Sequence, residues 1–458
     1  MSTYRVMVFR LLIFAFAFQF AGFAGAEYQY VRQGAAGDGS DWSNALPQLP
    51  SVLSRGFTYF IAGGSYPGYA FDDAVSGSAT ITICKASAEF HGTNSGWAAS
   101  YGDESAVFTG GLTFISGYYL LNGQTGGGPG AWNKGHGIRV APPAGEKFGI
   151  ALKGGAAKYV TIEHVEIDMS SASPTELAGK ADAIYSVSDN DSLTLRQCWM
   201  HDAGRCLILD RSSDNWLVEY CLFENSGTWA SPSNHSEIIS AFSDIADQVT
   251  DPNKSWVIRY NIFSRWRSTG GIIFTGDGWR IYGNVFEFPA GFESSCGNGV
   301  IGTWTQKTTW SDGFNKNHFI YNNTFVNIVG TMSEADIYPG SQVCTNTQIR
   351  NNLWYNCPTV KSLGGIDGQH SHNSFFNCPR AFVISEAGMQ NETGNPLNQL
   401  SPLEYHLNRP TAPGVDLGAM YNDMLGVVRG MDGCLDRGAY EYRDMVLPPP
   451  QRLRTITK

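Results

Sequence analysis

The feature that most constrains the fold is a short phrase that recurs along the chain: Asn or Cys, one further residue, and a large apolar residue. The copies are Cys198-Trp199-Met200, Cys221-Leu222-Phe223, Asn261-Ile262-Phe263, Asn284-Val285-Phe286, Asn323-Thr324-Phe325, Asn352-Leu353-Trp354 and Asn373-Ser374-Phe375. Including an earlier copy that ends at Ile167, the spacings between the large apolar residues are 33, 23, 40, 23, 39, 29 and 21. Self-similarity of this kind is the signature of a repeat architecture.

The unit behind these spacings is about 22 residues long, and the longer gaps are that unit plus an inserted loop. Such a unit holds about three short strands with turns between them, which is one coil of a parallel β-solenoid. The composition agrees, because 53 glycines, 13% aromatic residues and only 16% charged residues favour short strands and tight turns. Leucine-rich repeats would show several leucines per unit, and a propeller needs blades of about 40 residues. We therefore predict an all-β fold, a single-stranded parallel β-helix of about ten coils.

Stacked coils explain the asparagine of the phrase, because its amide can hydrogen-bond with the amide one coil above and because asparagine tolerates left-handed turns. We interpret these residues as ladder asparagines and not as metal ligands. The same stacking places Cys198 near Cys221, and Cys357 near Cys378, in columns with a step of about 4.8 Å. Free buried thiols are predicted for the first pair, and free thiols and a disulfide are equally open for the second.

The N-terminal residues 1–26 predict a cleaved secretory signal. Positive charge precedes the apolar run from Leu11 to Phe20, and Ala24-Gly25-Ala26 fits a cleavage site. No later stretch is long and apolar enough to span a bilayer, so we expect a secreted protein, extracellular or periplasmic, without a membrane contact. The net charge of −10 argues against a nucleic-acid partner.

The β-helix domain is predicted over residues 27–442. A short capping helix is expected over Asp41–Leu53, where it would cover the open end of the first coil. The proline-rich and basic residues 443–458 are predicted to form a disordered tail.

Three segments of the chain resemble secreted right-handed parallel β-helix proteins of the pectate-lyase-like superfamily. The first is the opening from Tyr30 to Tyr66, which contains Gly37-Asp38-Gly39-Ser40-Asp41-Trp42. The second is the Asn-x-Phe ladder, and the third is the end from Tyr405 to Tyr442. The resemblance implies a right-handed coil and a polysaccharide partner, but one fold hosts many chemistries.

Stacking also aligns two rows of polar residues. The residue after each large apolar position gives the row Asp168, His201, Glu224, Ser264 and Glu287, which we interpret mainly as solvated turn residues. A second row comes from the next strand of each coil, beneath the longest insertions, where loops on a rigid scaffold commonly build binding sites. The candidate catalytic residues are His235, Glu237, Arg205, Asp210 and Arg211, and the candidate substrate-binding residues are Trp229, Trp304, Arg265, Asp277 and His201.

The segment Ser236-Glu237-Ile238-Ile239-Ser240 resembles one in the alginate lyase/chondroitinase B group of the same superfamily. The resemblance implies that the acidic residue helps to bind calcium, which makes Glu237 a candidate metal ligand and calcium a candidate cofactor. The positions of that group's catalytic Lys and Arg fall on Phe242 and near Thr275 in this chain. Both catalytic residues are therefore missing, and the group's mechanism does not carry over.

The leading function hypothesis is a lyase that cleaves a uronate-containing polysaccharide by β-elimination. Such an enzyme needs a base, for which His235 and His201 are candidates, and a neutraliser of the uronate carboxylate, for which Arg205, Arg211 or calcium are candidates.

Two alternatives stay open. A glycoside hydrolase needs two carboxylates, for which the candidates are Asp210 and Glu237, with Glu224 or Asp277 as substitutes. A non-catalytic glycan-binding or adhesive surface protein needs neither arrangement. All three hypotheses give the protein a polysaccharide partner.

Overall fold

The structure is a computed structural model. It describes residues 27–171, 181–186, 188–209, 213–227, 237–241, 253–267, 270–292, 300–303, 316–331, 346–361, 369–379, 381–382, 386–418 and 421–443. The predicted signal and nearly all of the predicted tail therefore lie outside the described residues. Within the described part, no helix is long and apolar enough to cross a membrane.

Three parallel sheets run along the β-helix, two of twelve strands and one of eight. Sheet A consists of β1 (Tyr28–Val31), β2 (Thr58–Ile61), β5 (Ile81–Lys85), β8 (Tyr119–Asn122), β11 (Val160–Glu163), β14 (Thr194–Arg196), β17 (Leu217–Glu219), β21 (Val257–Arg259), β25 (Arg280–Tyr282), β28 (Phe319–Tyr321), β31 (Gln348–Arg350) and β34 (Gln369–Ser371). Sheet B consists of β3 (Gly64–Tyr66), β6 (Ala106–Phe108), β9 (Ile138–Val140), β12 (Val165–Asp168), β15 (Trp199–His201), β18 (Leu222–Glu224), β22 (Ile262–Ser264), β26 (Val285–Glu287), β29 (Thr324–Val326), β32 (Leu353–Tyr355), β35 (Ser374–Phe376) and β37 (Gln390–Asn391). Sheet C consists of β4 (Tyr69–Phe71), β7 (Leu112–Phe114), β10 (Phe148–Leu152), β13 (Asp182–Ser186), β16 (Arg205–Leu209), β19 (Ile239–Ala241), β23 (Ile272–Phe274) and β27 (Ile301–Thr303).

Smaller elements complete the described structure. They are the parallel pair β20 (Asn253–Lys254) and β24 (Gly276–Asp277), the parallel sheet of β30 (Val329–Thr331), β33 (Thr359–Lys361) and β36 (Ala381–Phe382), and the antiparallel pair β38 (Leu397–Ser401) and β39 (Glu404–Leu407). The all-β parallel β-helix is thus confirmed. Sheets A and B have twelve strands each, so the expected number of about ten coils is not confirmed.

The expected capping helix over Asp41–Leu53 is wrong. The one α-helix among the described residues is the four-residue α1 (Ser100–Asp103). Pro47 is one reason, because a proline inside a helix removes an amide donor and clashes with the preceding turn. Leu46 instead forms a parallel bridge with Val31, so irregular chain lies against the first strand of sheet A.

The large apolar residues of the repeated phrase form one continuous interior column. Strand pairing places Ile167, Met200, Phe223, Phe263, Phe286, Phe325, Trp354 and Phe375 at equivalent positions on successive coils. From Phe223 onward, neighbouring rings are stacked with centroids 4.6–5.1 Å apart. The predicted phasing of the repeat is therefore confirmed.

The asparagine ladder is also confirmed. Each backbone N–H and each side-chain Nδ2 of Asn261, Asn284, Asn323 and Asn352 donates to the Oδ1 of the next asparagine, at 2.9–3.1 Å. Glu386 ends the ladder by accepting the same two hydrogen bonds from Asn373. The prediction that the ladder asparagine adopts the left-handed conformation is wrong. The residue before it does so, such as Tyr260 with φ 57°.

The cysteines in the described part of the chain are free thiols. This confirms the prediction for Cys198 and Cys221. For Cys357 and Cys378, where thiols and a disulfide are equally open from the sequence, the structure has two free thiols.

A C-terminal segment, defined as residues 397–418 and 421–442, covers part of the outer face of sheet B. Leu222, Ile262 and Val285 project outward from this sheet and pack with Leu397, Leu403, Tyr405, Leu407, Met424 and Tyr440 of the segment. Near one edge of this cover, the hydroxyl of Tyr405 donates to the carboxylate of Glu287. On the earlier strands β9 and β12, the outward positions are charged.

Candidate functional site

The candidate site is a cluster on the outer face of sheet B, defined as Arg139, Glu166, Asp168, His201 and Asp202. Glu166 projects outward between the buried Val165 and Ile167, and pairing aligns it with Arg139 on one side and Trp199 on the other. Asp168 is aligned in the same way with His201 on the next coil. The β-helix thus brings side chains from three coils to one place, each about 4.8 Å from the next along the stack.

Arg139 holds the two carboxylates of strand β12 together. Its Nε lies 3.1 Å from Glu166 Oε1, and its Nη2 donates to Asp168 Oδ2. The Arg139 side chain is 40% exposed, whereas that of Asp168 is only 6% exposed. The guanidinium is therefore the part of the cluster that solvent and ligands reach most easily.

His201 touches three carboxylates. Its Nδ1 lies 2.7 Å from Asp202 Oδ2 and 3.8 Å from Asp168 Oδ1, and its Nε2 lies 3.3 Å from Glu166 Oε1. Burial by itself lowers the pKa of His201, but the hydrogen bonds with Asp202 and Glu166 and the charge of Asp168 outweigh it and raise the pKa to about 9. The ring is therefore an imidazolium at neutral pH. This argues against the expectation that His201 is the base.

Two of the carboxylates around His201, those of Asp168 and Asp202, are held in the ionised form. Burial raises the pKa of Asp168, but hydrogen bonds from Ser170 and Arg139 lower it by more. The pKa of Asp168 is therefore below its ordinary value. The hydrogen bond from His201, opposed by burial, likewise lowers the pKa of Asp202. Asn225 on the following coil donates a further hydrogen bond to Asp202 and fixes its position.

Aromatic rings border the cluster. The Trp199 ring is stacked on the His201 ring with a centroid distance of 3.8 Å, and its Nε1 donates to Glu224 Oε2 at 3.2 Å. The ring centroid of His136 lies 6.3 Å from that of Trp199. Burial lowers the pKa of His136 to about 4, so this second imidazole is neutral. The cluster therefore combines charge with an adjoining aromatic surface.

A glycine-rich stretch, 123–137, runs beside these rings. The sequence suggests a surface excursion, but Trp132 within it is buried, and the carbonyl of Gly126 lies 2.7 Å from His164 Nδ1. A Cβ on Gly127, which has φ 74°, would lie 2.0 Å from the Gln197 carbonyl oxygen, so glycine is required for this close approach.

A second charged group lies at the start of neighbouring strands of sheet C, just beyond the turn that follows His201. Arg205 and Glu237 each lie two residues before the paired Leu207 and Ile239, so they occupy equivalent positions on adjacent coils. The guanidinium of Arg205 makes two hydrogen bonds, of 2.8 and 3.0 Å, with the buried Asp182 on the coil before. The structure thus brings together two predicted catalytic residues, but the ion pair with Asp182 engages Arg205.

Other predicted site residues lie apart from the cluster. Arg265 forms an ion pair with Glu224 at 3.5 Å, two coils beyond His201. Asp277 interacts with Lys316 and Asn317 where sheet C leads into sheet A, so it does not join the cluster. The remaining candidates lie outside the described residues: His235, Asp210, Arg211, Trp229 and Trp304.

Sequence reasoning placed Asp168 and His201 in one row but missed Arg139, Glu166 and Asp202. The available signal was the alternation within strands, because Arg139 and Glu166 occupy the outward position between two inward apolar residues. The asparagine phrase does not reveal this coil, because the coil that contains Arg139 has no such phrase.

The cluster can be tested as a metal site. Ligand atoms of Glu166, Asp168 and His201 lie within 4.8 Å of one another. Calcium, however, takes about six to eight oxygen ligands, and here Arg139 and the imidazolium already neutralise the carboxylates. Glu237, the predicted metal ligand, is fully buried and accepts a hydrogen bond from Ser240 at 3.2 Å. As arranged, the cluster does not fit calcium.

No family model and no curated protein sequence matches the chain. Among solved structures, the chain is similar to pectate lyase Pel9A, with 11% identity, a TM-score of 0.48, and coverage of 89% of this chain and 88% of that one. It is also similar to the PL6 family polysaccharide lyase Pedsa3628 from Pseudopedobacter saltans, with 12% identity, a TM-score of 0.41, and coverage of 74% and 87%.

A third similar structure is the catalytic unit of the GH87 alpha-1,3-glucanase from Streptomyces thermodiastaticus, with 12% identity and a TM-score of 0.41. The match covers 74% of this chain but only 61% of that one. At these identities and TM-scores the likenesses concern the fold alone.

Proposed function

We propose that the protein is a polysaccharide lyase that cleaves a uronate-containing chain by β-elimination at the outer-face cluster of sheet B. The observation that carries the proposal is the contact between His201 Nε2 and Glu166 Oε1 at 3.3 Å, beside the exposed guanidinium of Arg139. Elimination needs a base, an acid and a neutraliser of the uronate carboxylate, and these three residues supply one group each.

Arg139 is the neutraliser. The proton that must leave is on the carbon next to the uronate carboxyl group, and removing it builds negative charge on that carboxylate. A guanidinium binds a carboxylate in a bidentate manner and stabilises such charge. Arg139 is accessible enough to turn from Asp168 towards a substrate. The Asp168 carboxylate then still has the positive charge of the His201 imidazolium beside it.

Glu166 is the base and His201 is the acid. The Glu166 carboxylate takes the proton, the electron pair of that C–H bond forms a carbon–carbon double bond, and the glycosidic C–O bond at the neighbouring carbon breaks. The Nε2–H of His201 gives its proton to the departing oxygen. Carboxylates serve as bases towards protons of this type in other enzymes. Asp202, 2.7 Å from Nδ1, fixes the orientation of the ring.

The contact between acid and base also resets the site. After elimination Glu166 carries a proton and His201 is neutral. Because Nε2 and Oε1 lie within hydrogen-bonding reach, the proton can pass back to the imidazole, whose pKa is raised to about 9. No proton from bulk water is required, and Trp199 beside the ring offers an apolar surface for a sugar.

A second candidate function, a retaining glycoside hydrolase, is favoured by one observation. A carboxylate oxygen of Glu166 and one of Asp168 lie within 4.8 Å of each other, near the roughly 5 Å separation of the two carboxyl groups in retaining enzymes. It ranks second because both carboxylates contact cations, whereas a hydrolase needs one of them protonated. The solved structures that share the fold include two named lyases and one named glucanase, which is compatible with either reaction.

The test is a screen of the purified full chain against uronate-containing and neutral polysaccharides. A lyase forms an unsaturated uronate that absorbs ultraviolet light, whereas a hydrolase releases reducing ends without that absorbance. Arg139→Ala and Glu166→Gln should abolish the product. The matched control is Glu163→Gln, which removes a carboxylate of the same coil that faces Arg196 from sheet A. Failure to cleave any glycan would leave only the binding hypothesis.

A further inference from the structure

A groove on the outer face of sheet A lies apart from the cluster on sheet B. It has a cavity of about 270 Å³ lined by Arg280, Phe319, Tyr321, Gln348, Arg350 and Tyr421, together with Asp416 and Leu417. Pairing aligns Arg280, Phe319 and Gln348 on three successive coils. The C-terminal segment forms the opposite wall through Asp416, Leu417 and Tyr421. Along sheet A, strand β25 is three steps from β14, roughly 14 Å, and the groove opens on a different face from the cluster.

The groove continues into a second cavity. An adjoining cavity of about 390 Å³ shares the residues Asp416, Leu417 and Tyr421 and continues along the C-terminal segment to Gly430 and Leu435. Binding sites for small molecules commonly have volumes of about 300–1,000 Å³. The two cavities together therefore match a short oligosaccharide better than a single ion.

Both apolar and charged groups line the groove. Phe319, Tyr321 and Leu417 give apolar surface, and Gln348 gives an amide. The Arg280 side chain is exposed, and no carboxylate within ion-pair distance of it is found among the described residues. Arg350 and Asp416 add one further charge of each sign to the lining. The exposed guanidinium of Arg280 is therefore the group that can receive an anion.

The aromatic wall is held rigid. Tyr282 and Tyr321 are stacked with ring centroids 4.7 Å apart and an interplanar angle of 6°. Tyr421 meets the Tyr321 ring edge-on at 5.5 Å, and its hydroxyl donates to Asn322 Oδ1. A site held in place in this way loses little conformational entropy on binding.

We propose that this groove binds an acidic oligosaccharide, one that carries carboxylate or sulfate groups, at a second site. Sugar rings present apolar faces and hydroxyl groups, and acidic sugars add an anion for Arg280. The groove thereby holds a polysaccharide on one face of the β-helix while the cluster on sheet B acts on another. The binding claim does not depend on the reaction at that cluster.

The experiment measures binding of an oligogalacturonate by calorimetry, using the full chain with Glu166→Gln so that the probe is not consumed. A neutral cello-oligosaccharide of equal length is the comparison probe. We expect two binding events for the acidic probe and none of comparable affinity for the neutral one. Arg280→Ala should remove one event or weaken it about tenfold, while Arg139→Ala should affect the other.

Lys153→Ala is the matched control, because Lys153 is an exposed cation in the turn after strand β10. Arg280 is itself exposed, so its replacement should leave the unfolding temperature unchanged, which thermal unfolding checks. Unchanged binding in Arg280→Ala, or equal binding of acidic and neutral probes, overturns the proposal. If no binding event depends on Arg280, the groove proposal alone is refuted, and absence of cleavage by the unmutated chain refutes the lyase alone.

Discussion

His201 and Glu166 stand on adjacent coils of sheet B, with Nε2 of the imidazolium 3.3 Å from Oε1 of the carboxylate. Neither residue would form this contact in an isolated strand. The register of β12 and β15 creates it, because the parallel pairing that stacks Ile167 on Met200 in the interior also stacks Asp168 on His201 at the strand ends. The scaffold that buries the core therefore also positions the proposed acid and base.

Replacing Glu166 by glutamine should reduce turnover by at least about a hundredfold, the usual contribution of a positioned acid or base. The amide keeps the shape of the side chain but cannot accept a proton. The measurement is the initial rate of ultraviolet absorbance on the best uronate polysaccharide, with Glu163→Gln as the control. A Glu166→Gln variant that retains most of its activity would place the base elsewhere.

The pH dependence should carry the signature of His201. Its pKa is raised to about 9 in the folded protein, above an ordinary value of about 6.5. The favourable contribution of the imidazolium to the free energy of unfolding is complete below about pH 6.5 and is lost as the pH rises through about 9. We expect kcat/KM to fall over the same alkaline range.

The control for that profile is His201→Asn, which keeps a hydrogen-bond donor without a titrating ring. Denaturant unfolding at several pH values between neutral and alkaline should show a smaller alkaline loss of stability in this variant than in the unmutated chain. An alkaline limb that is identical in both proteins would show that another group titrates.

Chelation should leave activity unchanged. Arg139 and the imidazolium of His201 supply the positive charge that calcium supplies in many sites for acidic ligands. Rates measured with EDTA and with added calcium are therefore expected to agree within error. A chelator-sensitive rate that calcium restores would contradict this and would direct attention to residues outside the described part of the chain.

Replacing Asn323 by alanine should destabilise the β-helix without touching the proposed sites. Its side chain accepts two hydrogen bonds from Asn284 and donates to Asn352 and to the Ile281 carbonyl, all in a buried setting. Leaving these groups unsatisfied should cost on the order of 3 kcal/mol. Denaturant unfolding measures the loss, and Asn408→Ala, at an exposed asparagine outside the left-handed region, is the control with an expected change near zero.

The sequence predicted the fold well because the fold is periodic. The positions of Phe223, Phe263 and Phe286 repeat at the coil spacing, so their stacking follows from counting alone. The predicted capping helix does not form, although the apolar pattern of its residues suits a helix. Pro47 disfavours the helix, and Leu46 instead forms a bridge with Val31. Apolar spacing records which side chains are buried but not the backbone conformation that buries them.

The candidate site was only half predictable for a related reason. Asp168 and His201 share a row, and that row was visible in the repeat. Whether such a row faces solvent depends on which segments pack over it. In this protein, those segments are distant in sequence from the row. Tyr405 covers Glu287 from a segment more than one hundred residues away, and that contact leaves no periodic trace. The pKa of His201 likewise depends on Glu166 and Asp202, which lie off the row.

The last prediction concerns the docking of the C-terminal segment, which should be tighter at acidic pH. Burial raises the pKa of Glu441 to about 7, although the charge of Arg429 opposes the shift, and the pKa of Asp423 is raised by burial as well. A carboxyl group with a raised folded pKa stabilises the fold fully below its unfolded value of about 4.3 and loses that contribution as the pH rises through about 7, on the order of 2 kcal/mol.

Limited proteolysis at pH 5 and pH 8 should therefore release the segment faster at the higher pH. Glu441→Gln should reduce this difference, because the amide does not ionise, while it weakens docking at both pH values by disturbing the 3.0 Å contact with Arg429. Equal proteolysis rates at the two pH values in the unmutated chain would contradict the prediction. Since Tyr440 packs against the sheet that also carries Trp199, a loosened segment should expose the edge of sheet B next to the proposed active site.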